Sequence, residues 1–178
     1  MLTSSKMSAR RSPLQAELKQ RKPFESPAVE AAVAVLRTAD MLRRFYATAL
    51  APFGLTLAQF NVLRILRSAG ADGLATLEVA NRLIERTPGI TLMMDRLEKK
   101  GWVRRERSTR DRREVRCRLT AAGDVLLTRV DGPIVAADET ALAALPRRSQ
   151  KQLIALLDRI RADLTARRTA ANSKEDGR

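Results

Sequence analysis

Apolar positions recur along this chain with helical spacing, and the period changes clearly only once. From Ala28 to Ala51, Val29, Val33, Val35, Leu36, Met41, Leu42, Phe45, Tyr46 and Leu50 cover most of a helix's circumference. A helix that is apolar nearly all round must be buried on more than one side, which in 178 residues calls for a partner surface. Pro52-Phe53-Gly54 then marks a turn. Thr56 and Gln59 have capping-box spacing and open a helix to about Ser68 that turns Phe60, Leu63 and Leu66 inward. After the loop Gly70–Gly73, Leu74-Ala75 suits one short strand, and Thr76 is placed to cap a helix through Leu83.

The next stretch, Thr87 to Thr120, carries the most information. Thr87 reads as an N-cap with Pro88 at the first helical position, and Gly101 stands where a left-handed residue ends a helix. Ile90, Met94 and Leu97 make the inward stripe, which leaves Gly89, Thr91, Leu92, Asp95, Arg96 and Lys99 facing out. The period then shortens to that of a hairpin: Trp102–Arg107, a tip at Ser108–Arg113, and Glu114–Leu119. Thr120 caps a long helix to about Leu145, with a bend expected at Gly132-Pro133. A last helix opens at Ser149 and carries Leu153, Leu156, Leu157, Ile160 and Leu164 on one stripe.

The expected fold is therefore mainly α with a small β-wing. Residues 1–26 read as a mobile basic arm with one helical turn around Leu14–Leu18. Residues 27–51 form a dimerisation helix and residues 52–120 a winged helix-turn-helix. Residues 121–166 supply further dimerisation helices, and 167–178 form a frayed polar tail.

Charge sharpens this layout. The net charge is +14, and Arg96 to Arg118 alone holds 11 Lys and Arg against four acidic residues. A solvated hairpin edge accounts for one or two cations; the cluster points to a polyanion. There is no histidine and a single cysteine, Cys117, so a Ser-His-Asp arrangement, a His-containing zinc site and an internal disulfide are all excluded. The carboxylates Glu78, Glu85, Asp95 and Glu98 fall on separate helical exposures, so no catalytic constellation, no enzyme activity and no cofactor are expected. No run approaches the ~20 apolar residues of a membrane helix, and a cytoplasmic protein without membrane contact is the expectation.

Four motifs, in order, carry a family resemblance. They are Leu57-x-x-Phe60-x-Val62-Leu63, Asp95-Arg96-Leu97-Glu98-Lys99-Lys100-Gly101-Trp102-Val103, Asp111-Arg112-Arg113, and Leu119-Thr120-x-x-Gly123. With the helices around them, residues 28–165 resemble the MarR group of bacterial transcription regulators. The resemblance implies a homodimer whose two lobes reach successive major grooves of a near-palindromic duplex operator. It also implies a repressor released by a small, often phenolic, ligand.

On this chain the resemblance puts Thr87, Gly89, Thr91 and Leu92 near base edges, with Thr76 also on the DNA side. Arg96 and Lys99 fall against phosphates, and Arg110, Arg112 and Arg113 stand at the wing tip, where Arg112 or Arg113 reaches into a minor groove. Asp95 and Asp111 orient wing arginines. Leu92 stands where many relatives carry Arg, which favours a thymine methyl over a guanine. Met41, Phe45, Tyr46 and Phe60 are the candidate ligand pocket, although ordinary core packing also explains such positions. Cys117 lies in the wing and reads as a small packed strand residue. A non-specific architectural DNA binder is the rival expectation, using the same charge without an operator.

Overall fold

The computed structural model describes residues 11–85, 89–107 and 115–175, with side chains to residue 173. A short helix α1 (Pro13–Glu17) precedes the long α2 (Pro27–Leu50). Ser26 accepts from the Val29 amide at 3.3 Å and Pro27 takes the first position of α2, where no donor is lost. A 3-10 turn leads to α3 (Leu57–Ala69), which opens on the expected box: Thr56 accepts from the Gln59 amide at 3.2 Å and Gln59 from the Thr56 amide at 3.1 Å.

Strand β1 (Leu74–Ala75), α4 (Thr76–Arg82), α5 (Ile90–Lys99), β2 (Val103–Arg107) and β3 (Val115–Leu119) complete the lobe. The antiparallel sheet runs β1-β3-β2, with Leu74 and Arg105 both opposite Cys117. Helices α6 (Ala121–Ala141) and α7 (Arg147–Glu175) follow. The core lies where α3, α5, α6 and the sheet meet; Leu63, Leu66, Val79, Met94, Leu97, Cys117, Leu127 and Val130 are fully buried there.

Several expectations change. Thr76 is the first residue of α4, not its cap; Ala75 precedes the helix without a side-chain cap. Pairing of β1 with β3 holds the chain over the sheet here, and the Thr76 hydroxyl meets Cys117 Sγ at 3.4 Å. Thr87 and Pro88 lie outside the described residues; the residue before α5 is Gly89, in a left-handed conformation at φ 81°.

Helix α6 stops at Ala141 with Pro133 inside it, short of Leu145; Leu142 leaves the helical conformation, and Gln150 donates to the carbonyls of Leu142 and Leu145 at 3.4 and 3.0 Å. Helix α7 starts two residues before Ser149 and runs past Ala166 to Glu175. The Ala- and Arg-rich extension has high helix propensity and an Asp163–Arg167 pair one turn apart.

The segment expected to be a mobile arm is ordered from Ser12 onward. Ser12 and Gln15 cap α1 reciprocally, and the buried Gln15 donates to the Lys22 carbonyl at 3.1 Å. Glu17 reaches Arg37 on α2 at 2.7 Å, so this segment is tied back to the long helix. Residues 1–10 of the arm lie outside the described residues.

Candidate nucleic-acid interface

Helix α5 buries Met94 and Leu97 and packs Ile90 against the same core. Two outward stripes result. Leu92, Arg96 and Lys99, at spacings of four and three, face solvent, and Leu92 is 54% exposed. Thr91, Asp95 and Glu98 form the neighbouring stripe, and its two acids turn toward the ribbon.

There they meet Arg105. Residues directly opposite in an antiparallel pair share a face, so Arg105, opposite the buried Cys117, emerges beneath α5. Its backbone amide donates to Glu98 Oε1 at 3.0 Å and its Nε to Glu98 Oε2 at 2.8 Å. Its Nη2 pairs with Asp95 Oδ1 at 2.6 Å. The Arg105 hydrogen bond holds the Glu98 carboxyl below its ordinary range, and Glu98 in turn raises the arginine's pKa. Asp95 thus meets an arginine of the ribbon's first strand. Glu98, expected on a helical exposure separate from that of Asp95, shares its face and holds the arginine at two points; the available signal was its position three residues after Asp95.

The base of the ribbon is fixed to the end of α5. Gly101 is left-handed at φ 72°. Its carbonyl accepts from the Thr120 hydroxyl at 2.6 Å, while Thr120 Oγ1 accepts the Gly123 amide at 3.1 Å. A Cβ on Gly123 would stand 2.4 Å from the Trp102 carbonyl oxygen, so no side chain fits there. Lys100 lies 4.5 Å from the Trp102 ring centroid and donates to the Gly54 carbonyl at 3.1 Å.

The arginine cluster divides. Arg116 donates to the carbonyls of Asp72 and Gly73 at 3.0 and 3.2 Å, and Glu106 sits between Arg104 at 2.9 Å and Arg118 at 3.4 Å. Arg96, Lys99, Arg104 and Arg107 are exposed. The tip residues Arg110, Asp111, Arg112 and Arg113 lie outside the described residues. Thr91 and Leu92 are exposed on α5, whereas Thr76 turns its hydroxyl to Cys117. Burial is the main cause that pushes the Cys117 thiol above its ordinary pKa, with the Thr76 contact opposing it in part.

The candidate pocket residues separate. Phe60 belongs to the core at 4% exposure. Tyr46 donates to Asp138 Oδ1 on α6 at 2.5 Å; burial first, then this bond, pushes its phenol to about 12. Phe45 meets Tyr46 edge to face with centroids 6.1 Å apart, and Phe45 and Met41 remain exposed on α2.

The model of the MarR family matches residues 55–115. The HTH-type transcriptional repressor Rv2887 of Mycobacterium tuberculosis is 32% identical over 127 residues, which span 71% of this chain and 90% of that protein. A MarR transcription factor from Planctomyces limnophilus is 35% identical with a TM-score of 0.59, covering 76% of this chain and 98% of that one. A MarR mutant from E. coli, complexed with operator DNA, shares the fold at 22% identity with a TM-score of 0.70, covering 78% and 99%. With its winged helix-turn-helix built as described, this chain belongs to the MarR family of transcription regulators.

Proposed function

We propose that the chain is a repressor that acts in the cytoplasm as a homodimer on a near-palindromic duplex operator. The observation that carries this reading is the solvent-facing stripe Leu92-Arg96-Lys99 of α5, fixed beside a cationic ribbon by Arg105 and Thr120. An α-helix fits the major groove, and cations along its flank meet the phosphates on either side. Arg112 or Arg113 would enter the adjacent minor groove, Arg110 would also contact DNA, and Asp111 would orient a wing arginine.

Dimerisation is supported by apolar surface that the single chain leaves open. On α2, Val35, Leu36 and Met41 are exposed; on α7, Ile154, Leu156, Ile160 and Leu164 are at least half exposed. Stripes of this size on two long helices call for a partner, and a second copy supplies the matching stripes. A small aromatic effector, of the kind the family resemblance implies, would bind against Met41, Phe45 and Tyr46 where the dimer covers them.

Selection of bound sequences from a random duplex pool tests the reading. A two-fold symmetric consensus is expected. Uniform retention of all sequences would favour the architectural alternative and refute the operator. Sedimentation should give a dimer; a folded monomer at nanomolar concentration would refute the dimer.

A further inference from the structure

The first turn of α5 offers an unusual set of groups to a groove. In helix-turn-helix docking the N-terminal residues of the recognition helix face base edges, and later turns rise toward the backbone. Bidentate recognition needs Arg or Lys for guanine and Asn or Gln for adenine; an acid can accept from cytosine. Among the described residues, the first turn has none of these. Gly89 has no side chain, Thr91 has one hydroxyl and one methyl, and Leu92 is wholly apolar. The two acids further along, Asp95 and Glu98, are held by Arg105 at 2.6 to 3.0 Å. Arg96 and Lys99 lie one and two turns behind Leu92 on its own stripe, where they meet phosphates when Leu92 points at the groove floor.

An aliphatic side chain with cations behind it has one good partner in the major groove, the C5-methyl of thymine. Resting on the operator reading above, we propose that Leu92 is a specificity-determining residue that reads a methyl group. Each half-site then carries a thymine facing Leu92, and 5-methylcytosine substitutes for it in part. The exposed Leu92 surface is buried against that methyl, so discrimination comes from apolar area and not from hydrogen bonds. Its size is that of about one buried methyl, roughly fourfold in affinity per half-site and on the order of fifteenfold for a symmetric pair.

The test uses the full-length protein and the consensus obtained by selection, synthesised with deoxyuridine replacing each thymine in turn. Uracil lacks only the methyl. Wild-type protein is expected to lose about fourfold at one thymine per half-site, while Leu92→Ala binds thymine and uracil there equally. Leu92→Arg is expected to shift the selected base at that position toward guanine. At a cytosine variant of the site, 5-methylation is expected to tighten wild-type binding by a similar factor. Unfolding midpoints and affinity for unrelated duplex separate a folding defect from lost readout, because a folded Leu92→Ala protein keeps its non-specific binding. Indifference of the wild type to uracil at every position overturns the inference while leaving the operator intact. So does a Leu92→Ala protein that still distinguishes the two bases. Failure to select any consensus overturns the operator reading, and this inference with it.

Discussion

Replacing Arg105 by Ala should loosen the recognition helix from the wing and cost measurable stability. The side chain is 26% exposed and pairs with Asp95 through Nη2 and with Glu98 through Nε and Nη2, while its backbone amide also donates to Glu98. Charged hydrogen bonds are worth roughly 1.5–3 kcal/mol each when buried and well under 1 when exposed. For side chains about one-third exposed, the two side-chain pairings together should contribute about 2 kcal/mol. Removing the cation also leaves two carboxylates facing each other one turn apart. In a chain of this length 1 kcal/mol moves the unfolding midpoint by roughly 2–4 °C, so Arg105→Ala should lower it by about 4–8 °C at fixed protomer concentration.

A double-mutant cycle with Glu98→Gln isolates the pair and should return a coupling of about 1 kcal/mol in denaturant unfolding. A loss below about 0.5 kcal/mol, or additive single variants, would refute the idea that this pair holds the lobe together. The pH dependence supplies a second check. Glu98 has its pKa lowered from the ordinary 4.5, chiefly by the Arg105 hydrogen bond. A depressed carboxylate stabilises the fold above its unfolded pKa and loses that contribution as pH falls through the folded value. The stability gap between wild type and Arg105→Ala should therefore be flat from neutral pH down to about 4.5 and shrink only below it. A gap already closing near pH 6 would assign the effect to another group.

Other regions give shorter tests. Arg67 grips both oxygens of Asp131 at 2.8 and 2.9 Å, tying α3 to α6; Arg67→Ala should cost about 1–2 kcal/mol in urea unfolding. Gly73 is left-handed at φ 61° and a Cβ there would stand 2.5 Å from the Cys117 carbonyl oxygen. Gly73→Ala should therefore destabilise by more than about 2 kcal/mol or fail to fold, visible by circular dichroism. Tyr46 is the sole tyrosine, so ultraviolet titration reads it alone. The folded protein should ionise near 12 and not near 10, and stability should fall as pH climbs through that interval. Loss of Arg112 or Arg113 should weaken operator binding and lower the slope of log affinity against log salt by about one unit each. An unchanged slope in fluorescence anisotropy would remove that arginine from the interface.

The sequence showed most clearly what depends on local pattern. Ile90, Met94 and Leu97 define α5 because a buried stripe must repeat every three or four residues, and Gly101 ends it because the chain turns left-handed there. Thr56 with Gln59 declared its helix start for the same local reason. Tertiary pairing was harder to read. Thr76 has the chemistry of a cap, yet two residues of strand pairing placed it inside the helix. The segment around α1 looked like a loose arm by composition. What orders it is Glu17 meeting Arg37, twenty residues on, and a glutamine buried against its own turn. The role of Glu98 was not legible because its partner lies beyond a turn and on another element.

The same distinction alters what the wing's charge means. From sequence, the arginines between Arg104 and Arg118 together point toward a polyanion partner. In the fold Arg105 is held by two acids and Arg116 by two carbonyls, so neither can follow a phosphate without giving up a contact inside the lobe. Arg104 and Arg118 share Glu106, which offsets one of their charges. The ribbon is thus stiffened by arginines near its base. Arg96 and Lys99 on the helix and Arg107 on the ribbon stay exposed, and these are cations that the proposed operator contact would draw on. Affinity and geometry are assigned to different members of one cluster. On the operator reading, a charge count therefore overstates how many phosphates the lobe can neutralise, because its internal ion pairs hold the recognition helix against the ribbon instead.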